Sequence, residues 1–186
     1  MLRCALSLAT EKLGEGHKDT LYIMAGLGSC LCDMGQHLQA EYLLRKAWEV
    51  EQQQHSEDHS RVKDCAAKLG ECLSALNRHE EAEPMFRQVL TLHQRMHGEN
   101  SPCTIHSTIK LTTCLQALGR HKEAEPLLRD ALKLGRGKAG QAALGQAHAE
   151  TMRSVMEGLG SCLIAMGKRG QGQSWLRKAQ APDTQG

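Results

Sequence analysis

The amino-acid sequence predicts an all-α fold in which antiparallel helix pairs follow one another along the chain. The main observation is an internal repeat, because the segment 17–58 recurs as 59–100 and again as 101–142, with a period of 42 residues. A second observation is that apolar residues within each repeat are spaced three and four apart, as on one face of a helix. The third is a glycine or asparagine in mid-repeat, where either residue can end a helix in the left-handed conformation.

The repeats align without gaps at positions where the residue type is kept. The aligned sets include Leu27, Leu69 and Leu111; Cys30, Cys72 and Cys114; His37, His79 and His121; and Ala40, Ala82 and Ala124. A fourth copy lies 48 residues after the third, with the extra residues in a glycine-rich segment. We therefore predict repeats at 17–58, 59–100, 101–134 and 146–180, a Gly-rich basic linker at 135–145, and a tail at 181–186.

Each repeat is predicted to form two helices joined by a short turn. The predicted pairs are 18–34 with 37–54, 60–76 with 79–97, 102–118 with 121–134, and 146–166 with 169–180. In the second repeat, the apolar stripe of the second helix runs from Ala82 to Leu90. Pro84 and Pro126 come near the start of a second helix, where a missing backbone N–H is still tolerated.

Residues 1–16 are predicted to be the end of a preceding repeat, consisting of a second helix and a linker. The basis is that Leu2 to Leu6 align with Leu44 to Trp48. Because a repeat array can be extended or cut without changing its units, we expect the chain to be a piece or a short isoform of a longer array.

Small residues recur where the two helices of a pair would cross. Glycine stands inside the first helix three times, although it costs about 1 kcal/mol there relative to alanine. The set is Gly28, Gly70 and Gly160, and the small residues expected opposite are Ala40, Ala82, Ala124 and Gly172. We predict that the paired helices approach too closely for a side chain. Thr112 interrupts the pattern, so the third pair is expected to be slightly wider.

Composition excludes several classes of function. The chain is 40% hydrophobic and 24% charged, and its most apolar stretch, 21–32, is shorter than the roughly 20 residues of a membrane helix. Only five residues are aromatic and the net charge is +2, which disfavours nucleic-acid binding. No signal peptide is expected, so the eight cysteines are predicted to be free thiols in the cytoplasm.

The cysteines and histidines are interpreted as structural. Cys30, Cys72, Cys114 and Cys162 occupy one repeat position on the face predicted to be buried, where cysteine acts as a small apolar residue. Cys30 and Cys32 lack a second cysteine pair at zinc-finger spacing, and His93 with His97 lacks a third ligand. We therefore predict no metal site, no cofactor and no catalytic residue, with a metal- or redox-active thiol protein as the distant alternative.

A basic segment lies towards the C-terminal end. The letters from Gly135 to Gly140 spell G-x-G-x-x-G, but no strand is predicted before them, so we interpret them as a loop. Residues 135–180 carry a net charge of +5. The hypothesis is a basic patch for an acidic partner segment, formed by Arg136, Lys138, Lys168 and Arg169.

The turn and second helix identify the family that the chain resembles. The segments Arg78 to Arg87 and Gly119 to Arg129, read as RHEEAEPMFR and GRHKEAEPLLR, resemble the tetratricopeptide repeat. The 42-residue period is similar to that of kinesin light chains and nephrocystin-3-like proteins. The resemblance implies a right-handed superhelix, a helical solenoid of antiparallel helix pairs, whose first helices line a concave groove for partner peptides.

Carried over to this chain, the family's groove positions give the predicted peptide-binding residues. They are Tyr22, Ala25, Ser29 and Asp33; Asp64, Ala67 and Glu71; His106, Ile109, Thr113 and Gln116; and Ser154, Glu157 and Ser161. The resemblance implies a non-catalytic protein–protein interaction scaffold or adaptor, located in the cytoplasm and, by family alone, at the cytoskeleton or cilium.

The expected partner is a peptide or helical segment of another protein, without nucleic acid or membrane insertion. The alternative is architectural, a sensor or packing region within a larger NTPase or motor-adaptor protein, where the contact is with upstream repeats of the same full-length chain. The sequence alone leaves both readings open.

Overall fold

The computed structural model describes residues 2–54, 60–136 and 148–180. These residues form nine α-helices and no strand. The helices are α1 (Leu2–Leu13), α2 (Lys18–Asp33), α3 (His37–Gln54), α4 (Ser60–Ala75), α5 (His79–His97), α6 (Pro102–Ala117), α7 (His121–Arg136), α8 (His148–Ala165) and α9 (Arg169–Gln180). The eight helices of the predicted pairs are confirmed, each end to within two residues. None of the described helices is long and apolar enough to cross a membrane.

Some predicted features lie outside the described residues. They are Met1, positions 55–59 at the first repeat boundary, most of the linker at 135–145, and the tail at 181–186. The start of the linker is described and is helical, because α7 continues to Arg136 rather than ending at 134.

The chain divides into two compact units, Met1–Val89 and Leu90–Gly186. In the first unit, α1 packs on α2, α2 on α3, and α3 on α4. Its core includes Leu21, Met24, Ala47 and Cys65, with Trp48 packed against them. Each helix therefore buries one stripe against its neighbours in sequence, as the spacing of apolar residues predicts.

The second unit repeats the arrangement with α6, α7, α8 and α9. Here α7 packs on both α6 and α8, and α9 packs on α8. The largest buried side chains are leucines, which come from three helices: Leu111 and Leu115, Leu128, and Leu159 and Leu163. Burying leucine away from water supplies most of the free energy of such packing, about 1.5–3 kcal/mol for each side chain.

The turn inside each helix pair has one geometry. The turn residues have positive φ in all four pairs, with values of 73° at Gly35, 59° at Asn77, 71° at Gly119 and 83° at Gly167. The next backbone N–H then donates to a carbonyl five residues earlier, as from Arg78 to Leu73 at 2.9 Å. This closes the helix end and reverses the chain, and Asn77 serves because asparagine tolerates the left-handed region.

Close helix approach is confirmed at the glycines, with one correction. A Cβ on Gly28 would lie 2.7 Å from Cγ of Leu44, and one on Gly160 would lie 2.8 Å from Cγ of Leu176. The nearest atoms thus belong to a leucine four residues after the expected small residue. Among the described glycines inside helices, those of the last pair come close to backbone atoms, since a Cβ on Gly172 would lie 2.6 Å from the carbonyl oxygen of Gly160.

The prediction that all four aligned cysteines are buried is wrong at the first of them. Cys72, Cys114 and Cys162 are buried, whereas Cys30 is exposed. The Cys72 thiol is covered by the start of α3 and donates to the carbonyl oxygen of His37 at 3.1 Å. The Cys30 thiol lacks such cover among the described residues.

Candidate functional site

The predicted groove residues share one face of the first helices in each unit. None of the fourteen is buried, because each alternates with a core residue of the same helix. The exposed members are Tyr22, Asp33, Asp64, His106, Thr113, Ser154, Glu157 and Ser161; the half-buried members are Ala25, Ser29, Ala67, Glu71, Ile109 and Gln116. Tyr22 is the most prominent apolar group, with 76% of its surface exposed.

In the first unit, this face combines the Tyr22 ring with carboxylates. Asp33 ends α2, and Asp64 and Glu71 lie on α4. The two carboxylates of α4 pair with lysines of the same helix: Lys63 lies 3.3 Å from Asp64, and Lys68 lies 3.4 Å from Glu71. The Lys68–Glu71 pair is exposed and contributes at most about 1 kcal/mol, so a basic ligand could replace Lys68 at little cost, whereas the Lys63 side chain is only 13% exposed.

In the second unit, several predicted groove side chains already make internal hydrogen bonds. Gln116 donates to the carbonyl oxygen of Gly158 at 2.7 Å and to Sγ of Cys162 at 2.9 Å, which ties α6 to α8. The Thr113 and Ser154 hydroxyls donate to carbonyls one turn earlier in their own helices. Since a hydroxyl has one proton, these two present lone pairs to a ligand and act as acceptors.

A ring of four charges joins the second helices of the first unit. Arg78 contacts Glu41 and Glu81 at 2.6 Å each, and Arg45 contacts the same two carboxylates at 2.9 and 3.0 Å. The Arg78 guanidinium and, less strongly, that of Arg45 hold the pKa of Glu81 below its usual value. Spacing along the chain does not predict this ring, because Arg78 and Glu41 are 37 residues apart and Arg45 and Glu81 are 36 apart.

Replacing Arg78 by glutamine should raise the pKa of Glu81 and reduce stability in a pH-dependent way. A carboxylate whose pKa is lowered by folding stabilises the protein above its unfolded-state pKa, and this contribution is lost as the pH falls through the folded-state value. The variant should therefore be less stable than the wild type at pH 7, and the difference should become smaller as Glu81 is protonated, while the pair of Arg78 with Glu41 still favours the wild type.

The shift can be measured by NMR titration of the Glu81 carboxyl carbon, with chemical unfolding at several pH values. Lys68→Gln removes the same charge from a different ion pair of the first unit. If that variant moved the pKa of Glu81 as far as Arg78→Gln does, general charge rather than the ring would be responsible.

The members of the predicted basic patch make separate contacts. Lys168 pairs with Glu125 near the start of α7 at 3.5 Å, whereas Arg136 ends α7 and lies 5.4 Å from the Trp175 ring centre. About three helical turns separate the two points of contact on α7. Lys138 lies outside the described residues, and Arg169 is exposed. The patch stays a prediction.

The histidine pair that lacks a third ligand in the sequence makes contacts within the structure. His93 and His97 lie with ring centres 5.8 Å apart, and Nδ1 of His93 is 2.6 Å from the Ser107 hydroxyl. His93 thus connects the end of α5 with α6 inside the second unit, which is a structural role.

Helix pairs with a regular turn, small residues at the crossing and an exposed first-helix face define a helical-repeat protein. A family model confirms which kind, because the tetratricopeptide repeat model matches residues 19–95 and 64–136, more than half of the chain. The chain belongs to the tetratricopeptide repeat family. Proteins of this family are in general scaffolds for protein–protein interaction rather than enzymes. No curated protein sequence matches the chain significantly.

Solved structures similar to this chain have the same fold. The TPR-like repeats of a Podosopora anserina protein classed as a kinesin light chain match with a TM-score of 0.83 and 20% identity, over 100% of this chain and 86% of that one. BtubC (BKLC) from P. vanneervenii matches with a TM-score of 0.80 and 19% identity, over 96% of this chain and 69% of that one. The apo form of RapI matches with a TM-score of 0.72 and 15% identity, over 96% of this chain and 61% of that one. The resemblance to kinesin-light-chain-type repeats is therefore confirmed for the fold.

Proposed function

We propose that the chain is a non-catalytic scaffold that binds a segment of a partner protein along the exposed faces of its first helices. The observation that supports it is the alternation on these helices, where core residues face inwards and fourteen exposed or half-buried side chains face out. Rigid, stacked helix pairs hold such side chains in a fixed pattern before a partner arrives, which reduces the entropy lost on binding.

The chemistry of the first unit favours one kind of partner segment. Its face offers an aromatic ring at Tyr22 and carboxylates at Asp33, Asp64 and Glu71. A segment that carries lysine or arginine next to an apolar side chain complements this face in both charge and shape. Tyrosine at an interface supplies large contact area with little loss of side-chain entropy.

The test is selection of binding peptides from a random display library, followed by titration of the best peptide with variants. Tyr22→Ala combined with Glu71→Lys should weaken binding about tenfold or more, as expected for loss of an aromatic anchor and reversal of a charge. The matched control is Tyr42→Ala with Glu49→Lys, which makes the same changes on exposed positions of α3, a second helix. The control should bind like the wild type.

The architectural alternative is supported by a different surface. Leu38 and Tyr42 on α3 are 73% and 65% exposed, and large apolar groups at the surface often mark a contact with another segment. If the α3 variant lost binding while the first-helix variant kept it, the contact would lie on the second helices. That result would overturn groove binding and favour packing within a larger protein.

A further inference from the structure

Three ligating side chains from successive helices meet in the first unit. Cys32 is near the end of α2, His37 begins α3, and Cys72 lies in α4. One ligand atom from each lies within 4.8 Å of the other two. Cys72 is buried and the other two are half-buried, so the cluster is shielded but can be reached from the surface.

The histidine of this cluster has an unused ring nitrogen. Nδ1 of His37 is buried and has no hydrogen-bond partner among the described residues. Nδ1 of His121, the aligned histidine of the third repeat, is also buried without a hydrogen-bond partner, so the repeat itself leaves this nitrogen available and Cys32 is what distinguishes the first site. On the other side of His37, the backbone oxygen accepts from the Cys72 thiol at 3.1 Å, which fixes the cysteine against the start of α3.

We propose that Cys32, His37 and Cys72 bind a thiophilic divalent cation, with Zn²⁺ the best fit. Two sulfur ligands and one imidazole are a ligand set that zinc prefers, and three protein ligands leave the fourth position open to water or to a group from a partner. Ligand atoms of a tetrahedral zinc site are about 3.8 Å apart when Zn–S is about 2.3 Å. The ligand atoms of the cluster lie within 4.8 Å of one another, so small side-chain rotations that move them by about 1 Å or less would bring them to that spacing.

The surrounding charges favour a cation. The carboxylates of Asp33 and Glu71 lie close enough to Cys32, and that of Glu41 close enough to Cys72, to act on the thiols electrostatically. Lys68 near Cys32 and Arg78 near Cys72 act in the opposite direction. Glu71 is paired with Lys68, and Glu41 with Arg78 and Arg45, so Asp33 beside Cys32 is the carboxylate left to offset part of the charge of a bound divalent ion.

Repeat duplication does not explain the cluster, because all three groups occur together only where the first repeat meets the second. The position of Cys32 is taken by Ser74, Gln116 and Ile164 in the later repeats. In the third repeat, Gln116 occupies the position of Cys32 and donates to Sγ of Cys162 in the fourth repeat at 2.9 Å. A side chain at this position can therefore contact the cysteine of the following repeat. A cysteine at this point therefore adds a ligand to a histidine and a cysteine that the repeat already places together.

Metal binding by this cluster has a second measurable signal besides the spectrum of the metal. The sulfur ligand of a metal ion is the thiolate, so a thiol that binds the ion gives up its proton to solution. Proton release on binding can therefore be followed in parallel with the absorption of the bound metal.

The experiment titrates the full, reduced, metal-free chain with Co²⁺ and then displaces it with Zn²⁺. The expected result is one equivalent bound, with a thiolate-to-cobalt absorption band and release of about two protons. Cys32→Ser and His37→Ala should each weaken binding by about 100-fold or more, beyond the effect of changing an outer-shell residue. Cys30→Ser, two residues from Cys32 but exposed, should bind as the wild type does.

Variants that stay folded, checked by circular dichroism, make the outcome decisive. Gln116→Cys should add a second equivalent of Co²⁺ beside His121 and Cys162, and a stoichiometry that stays at one would overturn the geometry proposed for this position. Equal Co²⁺ affinity in Cys32→Ser and the wild type would overturn the site. So would a reduced protein that binds no metal but forms a Cys32–Cys72 disulfide under mild oxidation.

Discussion

Replacing Ala82 by arginine is expected to abolish cooperative unfolding of the first unit. Ala82 is fully buried, with 0% of its surface exposed, at the position where α5 crosses its partner helix. An arginine there must either force the helices apart or bury a guanidinium without a partner. The expected loss is more than about 4 kcal/mol, which is exceptional for one substitution and comparable to the stability of a small domain.

Thermal unfolding followed by circular dichroism measures this effect. The control is Ala75→Arg, which introduces the same side chain on an exposed position at the end of α4. We expect the control to unfold as the wild type does. A sharp transition of normal midpoint in Ala82→Arg would mean that α5 does not pack through this residue.

Replacing Gly172 by alanine is expected to destabilise the last helix pair by about 2 kcal/mol, although alanine is the better helix former. The added Cβ would lie 2.6 Å from the carbonyl oxygen of Gly160 and 3.0 Å from the backbone nitrogen of Ile164. Backbone atoms cannot rotate away as a leucine side chain can, so α9 must move from α8 as a whole.

Gly170 provides the matched control within α9, because a Cβ there would meet no atom within 4 Å. Gly170→Ala should raise stability by up to about 1 kcal/mol through helix propensity alone. Urea unfolding of the two variants gives their free energies of unfolding, which can be compared directly if the slope of that free energy against urea concentration is the same in both. If both alanine substitutions changed the free energy of unfolding in the same direction, the close approach of α8 and α9 would be contradicted.

The fold could be predicted from the sequence because repetition averages out local ambiguity. A single segment such as 79–97 has the spacing of an amphipathic helix, but three aligned copies also show where it begins, where the turn lies and which residues face the core. The same alignment located the small residues at the helix crossing. It could not show that Leu44 and Leu176, rather than Ala40 and Gly172 alone, fill the space opposite the glycines.

The features that the sequence does not predict arise between repeats rather than within one. Cys30 has the same sequence context as its three aligned partners, but its burial depends on a neighbouring helix start. The cluster of Cys32, His37 and Cys72 combines ligands from three helices, so a search for cysteine pairs at zinc-finger spacing passes over it. Side-chain reach across a helix packing is a property of three dimensions that spacing along the chain does not contain.

The ring of Glu41, Arg45, Arg78 and Glu81 adds a salt-sensitive contribution to the stability of the first unit. Apolar contacts hold the core and respond little to ionic strength, whereas charges near the surface attract one another less in salt. The four side chains are 14–45% exposed, so this screening is partial. The free energy of unfolding of the first unit is therefore expected to fall somewhat as the salt concentration rises.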